Sequence, residues 1–97
     1  MEVKLQRSKF SNVWDALEDE RAMSANMTIR SDLLIALRRR IGTWKVSQAC
    51  AARRLKVTQP RLNELLSARI SKFSLDALVE LAIRAGIRVS LRIGKAA

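Results

Sequence analysis

The stretch from residue 48 to residue 65, QACAARRLKVTQPRLNEL, limits what the whole chain can fold into. It predicts two short helices, over about residues 47–55 and 58–66, joined by a tight turn. Small or apolar residues stand where two crossing helices must touch: Ala49, Ala52, Leu55, Val57, Leu62 and Leu65. Ala52 falls where the two helices cross most closely, so a large side chain there would push them apart.

The ends of these two helices carry recognisable signals. Ser47 and Thr58 are each well placed as an N-cap, and Pro60 falls in the first turn of the second helix, where no N–H is needed. The turn is less regular, because Lys56 stands where a glycine is expected in a left-handed conformation. A lysine there costs roughly 1 kcal/mol.

The polar side chains left over on the second helix suit the edges of DNA bases. They are Gln59, Arg61, Asn63 and Glu64. Gln59 lies near the helix N-terminus and can bond adenine through two hydrogen bonds, whereas Arg61 suits guanine or a phosphate. Glu64 can accept from cytosine or only neutralise Arg61. A helix of this kind, supported by another helix, fits the DNA major groove.

Residues on either side of this helix are candidates for the DNA backbone. Ser47 and Gln48 open the first helix, where a side-chain donor and the helix N–H groups can bind a phosphate together. The loop that follows the second helix carries polar residues that can flank the backbone: Arg69, Ser71 and Lys72.

The positive charge is concentrated around the same stretch. The formal net charge is +10, and residues 30–72 hold eleven basic and two acidic residues, whereas residues 1–29 hold four basic and five acidic ones. A clustered positive field attracts phosphate and speeds the encounter with nucleic acid. The alternative is a generally basic surface with no specific partner.

The flanking segments predict further helices. One begins after Ser11, and a second covers about residues 22–41, with Met23 and Met27 as core filler and Gly42 as its stop. A last helix is capped by Ser74 and runs through about residue 85. The acidic residues 15–20 are either a solvated face or a contact to a basic protein partner.

Residues 87–93, IRVSLRI, change to a period of two and predict a short strand. Its apolar residues alternate with polar ones and would form one face: Ile87, Val89, Leu91 and Ile93. A lone strand leaves backbone groups unpaired, so either residues 2–6 or the same strand of a second subunit must pair with it. We favour the second subunit, which would give a symmetric homodimer.

Composition restricts the class of protein further. Ninety-seven residues suit a single domain, here residues 11–97, preceded by a polar arm over residues 1–10. We expect a cytoplasmic location, because one cysteine forms no internal bridge and neither a signal peptide nor a membrane span is apparent. With no histidine, one cysteine and no phosphate-binding loop or metal-ligand cluster, we expect neither an enzyme nor a cofactor.

The stretch TWKVSQACAARRLKVTQPRLNELLSARISKFSLDAL resembles the lambda-repressor-like (XRE, Cro-type) helix-turn-helix family. It is most similar to the short HigA-type antitoxins, and the resemblance extends over roughly residues 11–93. It implies an all-α domain of about five helices that binds operator DNA as a homodimer, with Thr58 and Gln48 among its DNA contacts. Lys56 in place of glycine and Cys50 in place of a commonly acidic residue depart from the family pattern.

Three functions are consistent with these features. The first is a sequence-specific transcriptional repressor that binds double-stranded DNA at an inverted repeat. The second is an antitoxin that neutralises a toxin protein and regulates its own operon. The third is a nonspecific nucleic-acid-binding protein, attracted by charge alone. We prefer the first, because the charge coincides with an independent motif.

Overall fold

The computed structural model describes residues 13–94, with side chains from residue 19 onward, and this part of the chain is helical. The elements are α1 (Val13–Trp44), α2 (Gln48–Leu55), α3 (Gln59–Leu66), a 3₁₀ turn (Ile70–Lys72) and α4 (Leu75–Arg84). None of these helices is both long and apolar enough to cross a membrane. The predicted arm over residues 1–10 and the predicted cap Ser11 lie outside the described residues.

Helix α1 is one continuous helix of 32 residues where two helices were predicted, so the described residues hold four α-helices. Thr28, which has a low helix propensity, does not interrupt it, and the Thr28 hydroxyl donates to the Ser24 carbonyl, 2.9 Å away and one turn earlier. Gly42 does not end it either. The helix continues to Trp44, and Lys45 then turns the chain with a φ of 51°.

Residues 29–89 form one compact unit with its own hydrophobic core. The largest fully buried side chains come from every helix of this unit and from the segment before α4: Leu37, Leu55, Leu62, Leu65, Phe73 and Leu78. Trp44 and Val57 are partly buried and pack against this core, which for Val57 is the role that the sequence predicted. Ala52 is also buried, as expected of a small residue between packed helices.

The described residues outside this unit, 13–28 and 90–94, form a second unit. The prediction that methionines fill a core here was wrong, because Met23 is 72% exposed and Met27 is 42% exposed. From residue 19 onward, where side chains are described, the first buried position of α1 is Leu34. The helical spacing of apolar residues therefore continues along α1 past the part of the helix that the core covers.

The strand predicted over residues 87–93 is not formed in the single chain, where residues 87–94 have no regular secondary structure. A strand requires a second strand for its hydrogen bonds, and the other described elements are all helical. Ile87 packs against the core, while Val89, Leu91 and Ile93 are exposed. The alternation of apolar residues is thus present without the pairing that it predicted.

A left-handed residue follows each of the four helices, and only the last one is a glycine. These residues are Lys45, Lys56, Ala68 and Gly86. After α2, α3 and α4 the next amide donates back into the helix, for example from Val57 to the Ala52 carbonyl at 2.9 Å, as in a Schellman cap. Hydrogen bonding therefore holds non-glycine residues in a conformation that glycine adopts at less cost.

Replacing Ala68 with glycine should stabilise the domain by about 1 kcal/mol, because it removes the clash of a left-handed Cβ. The site is exposed and has a φ of 58°, so no packing is lost. Urea denaturation of both proteins measures the difference. Ala36→Gly, the same change inside α1, is the control and should destabilise by about 0.5–1 kcal/mol. A loss of stability in both variants would contradict the argument.

Candidate nucleic-acid interface

Helices α2 and α3 and the turn between them are held in place by caps that the sequence predicted. The Ser47 hydroxyl accepts from the Cys50 amide at 3.2 Å, and the Thr58 hydroxyl accepts from the Arg61 amide at 3.3 Å. Lys56 adopts the left-handed conformation, with φ 58° and ψ 43°. The turn therefore keeps the geometry that a glycine would give, at the strain cost of a side chain.

The outer face of α3 is polar and accessible. Leu62 and Leu65 face the core, whereas Gln59 and Asn63 are exposed and Glu64 is half-buried. Three of the four predicted base-reading residues thus lie on the side of α3 away from the core. Two further exposed residues lie on this face and were not predicted from the sequence: Pro60 and Ser67.

Pro60 and Ser67 lie seven residues apart, with Asn63 and Glu64 between them, which is the spacing of a single helix face. This spacing could have identified them from the sequence, since the buried leucines define the opposite face. An apolar ring such as that of Pro60 suits the methyl group of thymine. The face as a whole therefore offers amides, a carboxylate, a hydroxyl and an apolar ring.

Arg61, the fourth predicted base reader, is half-buried and already makes two contacts within the domain. Its Cζ lies 3.9 Å from the centroid of the Phe73 ring, and its Nη1 donates to the Lys72 carbonyl at 2.8 Å. Its guanidinium is directed toward the segment that follows α3.

That segment is the α3–α4 loop, residues 67–74. Its predicted backbone-binding side chains are all exposed: Arg69, Ser71 and Lys72. The Arg69 amide donates to the Glu64 carbonyl and the Lys72 amide to the Arg69 carbonyl, at 3.1 and 3.0 Å. From α1, Arg30 Nη1 donates to the Phe73 carbonyl at 3.2 Å. The loop is therefore fixed to both α3 and α1 by hydrogen bonds.

Ser47 and Gln48 are exposed at the start of α2, and Thr58 is exposed at the start of α3. Both helix N-termini present backbone N–H groups that suit an anion. The predicted backbone-binding residues therefore occupy two helix starts and one loop, all within the unit of residues 29–89.

Some of the arginines that produce the positive charge also stabilise helix ends. Arg40 Nε donates to the Ala85 carbonyl at 3.0 Å, and Arg84 Nη1 donates to the Leu55 carbonyl at 3.1 Å. Arg54 places its Cζ 4.3 Å from the centroid of the Trp44 ring. These arginine side chains therefore contribute to packing within the domain, in addition to attracting any anionic partner.

Helix α3 packs against α2, both helices are capped at their starts, and the outer face of α3 is polar. This arrangement defines a helix-turn-helix DNA-binding module. A model of the family described as "Helix-turn-helix domain" matches residues 16–94. The chain therefore belongs to this helix-turn-helix family. No curated protein was found to match the chain.

Proposed function

We propose that this protein is a sequence-specific transcriptional repressor that acts in the cytoplasm and binds an inverted-repeat operator as a homodimer. Helix α3 would enter the major groove, where Gln59, Asn63 and Glu64 would read bases. The observation that supports this most is the exposed polar face of α3, capped by Thr58 and packed through Leu62 and Leu65.

Backbone contacts would set the position of α3 in the groove. They would come from the starts of α2 and α3 (Ser47, Gln48 and Thr58) and from the α3–α4 loop (Arg69, Ser71 and Lys72). Binding of this kind is salt-dependent, since each phosphate contact releases counterions.

The test of this function is binding of the full chain to DNA from upstream of its own gene, against random competitor duplex, at two salt concentrations. A footprint on an inverted repeat that survives competition would support specific recognition. The distance between half-sites would report the geometry of the dimer. Salt-sensitive binding with equal affinity for both DNAs would leave only attraction by charge and contradict the proposal.

The homodimer would form through residues 87–93. Val89, Leu91 and Ile93 are 39%, 68% and 73% exposed in the single chain, which is unfavourable for three large apolar side chains so close together. Pairing with the same segment of a second copy would cover them and satisfy the backbone groups. Ile87, packed on the core, would connect this interface to the domain.

Replacing Leu91 and Ile93 together with aspartate should convert the dimer to a monomer, because each subunit would then bury two charges at the interface. Light scattering of the wild type and the variant measures the mass of each. The control is Arg88→Asp, which places an aspartate at an alternate, polar position of the same segment and should remain dimeric. A Leu91/Ile93 variant that keeps the dimer mass would place the interface elsewhere.

A second candidate function is that of a HigA-type antitoxin, in which DNA binding regulates the operon and the main partner is a toxin. Asp19 and Glu20 are exposed on the first half of α1, and a basic protein could bind there. Co-expression with the product of an adjacent gene tests this role. Rescue of growth by the wild-type chain, and its loss on Asp19→Lys/Glu20→Lys, would support an antitoxin.

A further inference from the structure

Arg61 is the only basic residue of α3, and its guanidinium is already engaged with the domain. It lies over the ring of Phe73, which is 1% exposed, and it donates to the Lys72 carbonyl. A guanidinium that hydrogen-bonds a carbonyl and lies on an aromatic face is favourably placed. A pair with guanine would compete with these contacts for the same guanidinium.

The segment that Arg61 contacts is the one that carries the predicted phosphate ligands. Arg61 bonds the carbonyl of Lys72, and Arg30 of α1 bonds the next carbonyl, that of Phe73. Two guanidinium groups thus bind consecutive carbonyls at the end of the α3–α4 loop. This arrangement fixes the backbone from which the exposed side chains of Ser71 and Lys72 extend.

The rest of the outer face of α3 carries no basic side chain. It consists of Gln59, Pro60, Asn63, Glu64 and Ser67. Arginine or lysine paired with guanine is the commonest specific contact in the major groove, whereas glutamine and asparagine pair with adenine. With Arg61 engaged elsewhere, the two amides of this face, Gln59 and Asn63, suit adenine.

We propose that Arg61 is a positioning residue, which holds the α3–α4 loop against the DNA backbone, and that α3 reads its half-site at adenines through Gln59 and Asn63. This inference rests on the proposed function and specifies the class of DNA site. It assigns the cation of α3 to the loop and leaves adenine recognition to the amides of Gln59 and Asn63.

The first experiment is selection from a randomised pool of DNA duplexes by the full-length wild type and by Arg61→Ala. Adenine should be enriched in the half-site of the wild type, and the variant should enrich the same bases with weaker retention. A guanine that the wild type selects and Arg61→Ala no longer selects would overturn the inference. If the wild type selects no sequence, the proposed function itself fails.

The second experiment is a double-mutant cycle measured through salt dependence, a readout that general destabilisation does not move. On random duplex, Lys72→Ala should make the slope of log affinity against log salt shallower by about 0.9, as expected for one lost phosphate contact. Arg61→Ala should produce a similar change, and the double variant should add little to it. Additive changes, or an unchanged slope in Arg61→Ala, would contradict the positioning role.

Phe73→Leu provides an independent variant of the same arrangement, with circular dichroism used to verify that it is folded. Phe73 is buried and cannot touch DNA, so a direct role of Arg61 at a base predicts no change of slope in this variant. The positioning role predicts a shallower slope, because the support under the guanidinium is lost. Arg53→Ala, at an exposed position of α2, is the matched control for removal of one positive charge.

Discussion

Replacing Phe73 with alanine should lower the free energy of unfolding by about 3–5 kcal/mol, the range for a buried phenylalanine whose cavity does not collapse. Phe73 is 1% exposed and is among the largest fully buried side chains of the described residues. It lies between the 3₁₀ turn and α4, and its ring also supports Arg61. Urea denaturation followed by circular dichroism measures the change.

A loss of this size would be a large part of the total stability of a small domain, which is about 5–15 kcal/mol. Phe73→Leu is the control, since leucine refills much of the cavity and should cost clearly less. If the alanine variant lost under about 1 kcal/mol, the ring would not be a central part of the core. The ranking of the two variants therefore tests packing separately from the aromatic contact.

The helix-turn-helix itself could be predicted from the sequence because its signals are local. Ser47, Thr58 and Ser74 each cap the helix that follows, as their positions before apolar periodic segments predicted. Leu62 and Leu65 are buried as predicted, because their spacing places them on one face of a short helix.

The extent of α1 could not be predicted in the same way. Thr28 has a low helix propensity, but its hydroxyl bonds the Ser24 carbonyl inside the helix, and Gly42 is tolerated within it. The apolar spacing that includes Met23 and Met27 is the same as that of a buried face. Periodicity specifies which face is apolar, but not how far along the helix the core extends.

The roles of the arginines also depend on contacts that sequence spacing does not show. Arg30 reaches the carbonyl of a residue 43 positions away, and Arg40 reaches one 45 positions away. A charge count assigns every arginine equally to a positive field. Only the folded structure, in which arginines of α1 reach the end of α4 and the α3–α4 loop, determines which guanidinium groups bind backbone carbonyls.

Replacing Gln59 with alanine should weaken binding to the operator by about 1–3 kcal/mol and leave binding to random duplex almost unchanged. Gln59 is exposed at the first position of α3, next to the cap Thr58, so its amide is accessible to a partner. The truncation removes up to two hydrogen bonds to adenine and leaves the helix cap intact. Competition binding with operator and random DNA measures both losses.

Lys72→Ala is the matched control, because a lost phosphate contact should weaken binding to both DNAs by the same factor. The two variants therefore separate recognition of bases from positioning on the backbone. Equal losses on operator and random duplex in Gln59→Ala would rule out base reading by this residue. A change of adenine to another base at one position of the half-site should weaken binding of the wild type by the same amount. The same change should weaken binding of Gln59→Ala little further, because the base change and the truncation remove the same pair of hydrogen bonds.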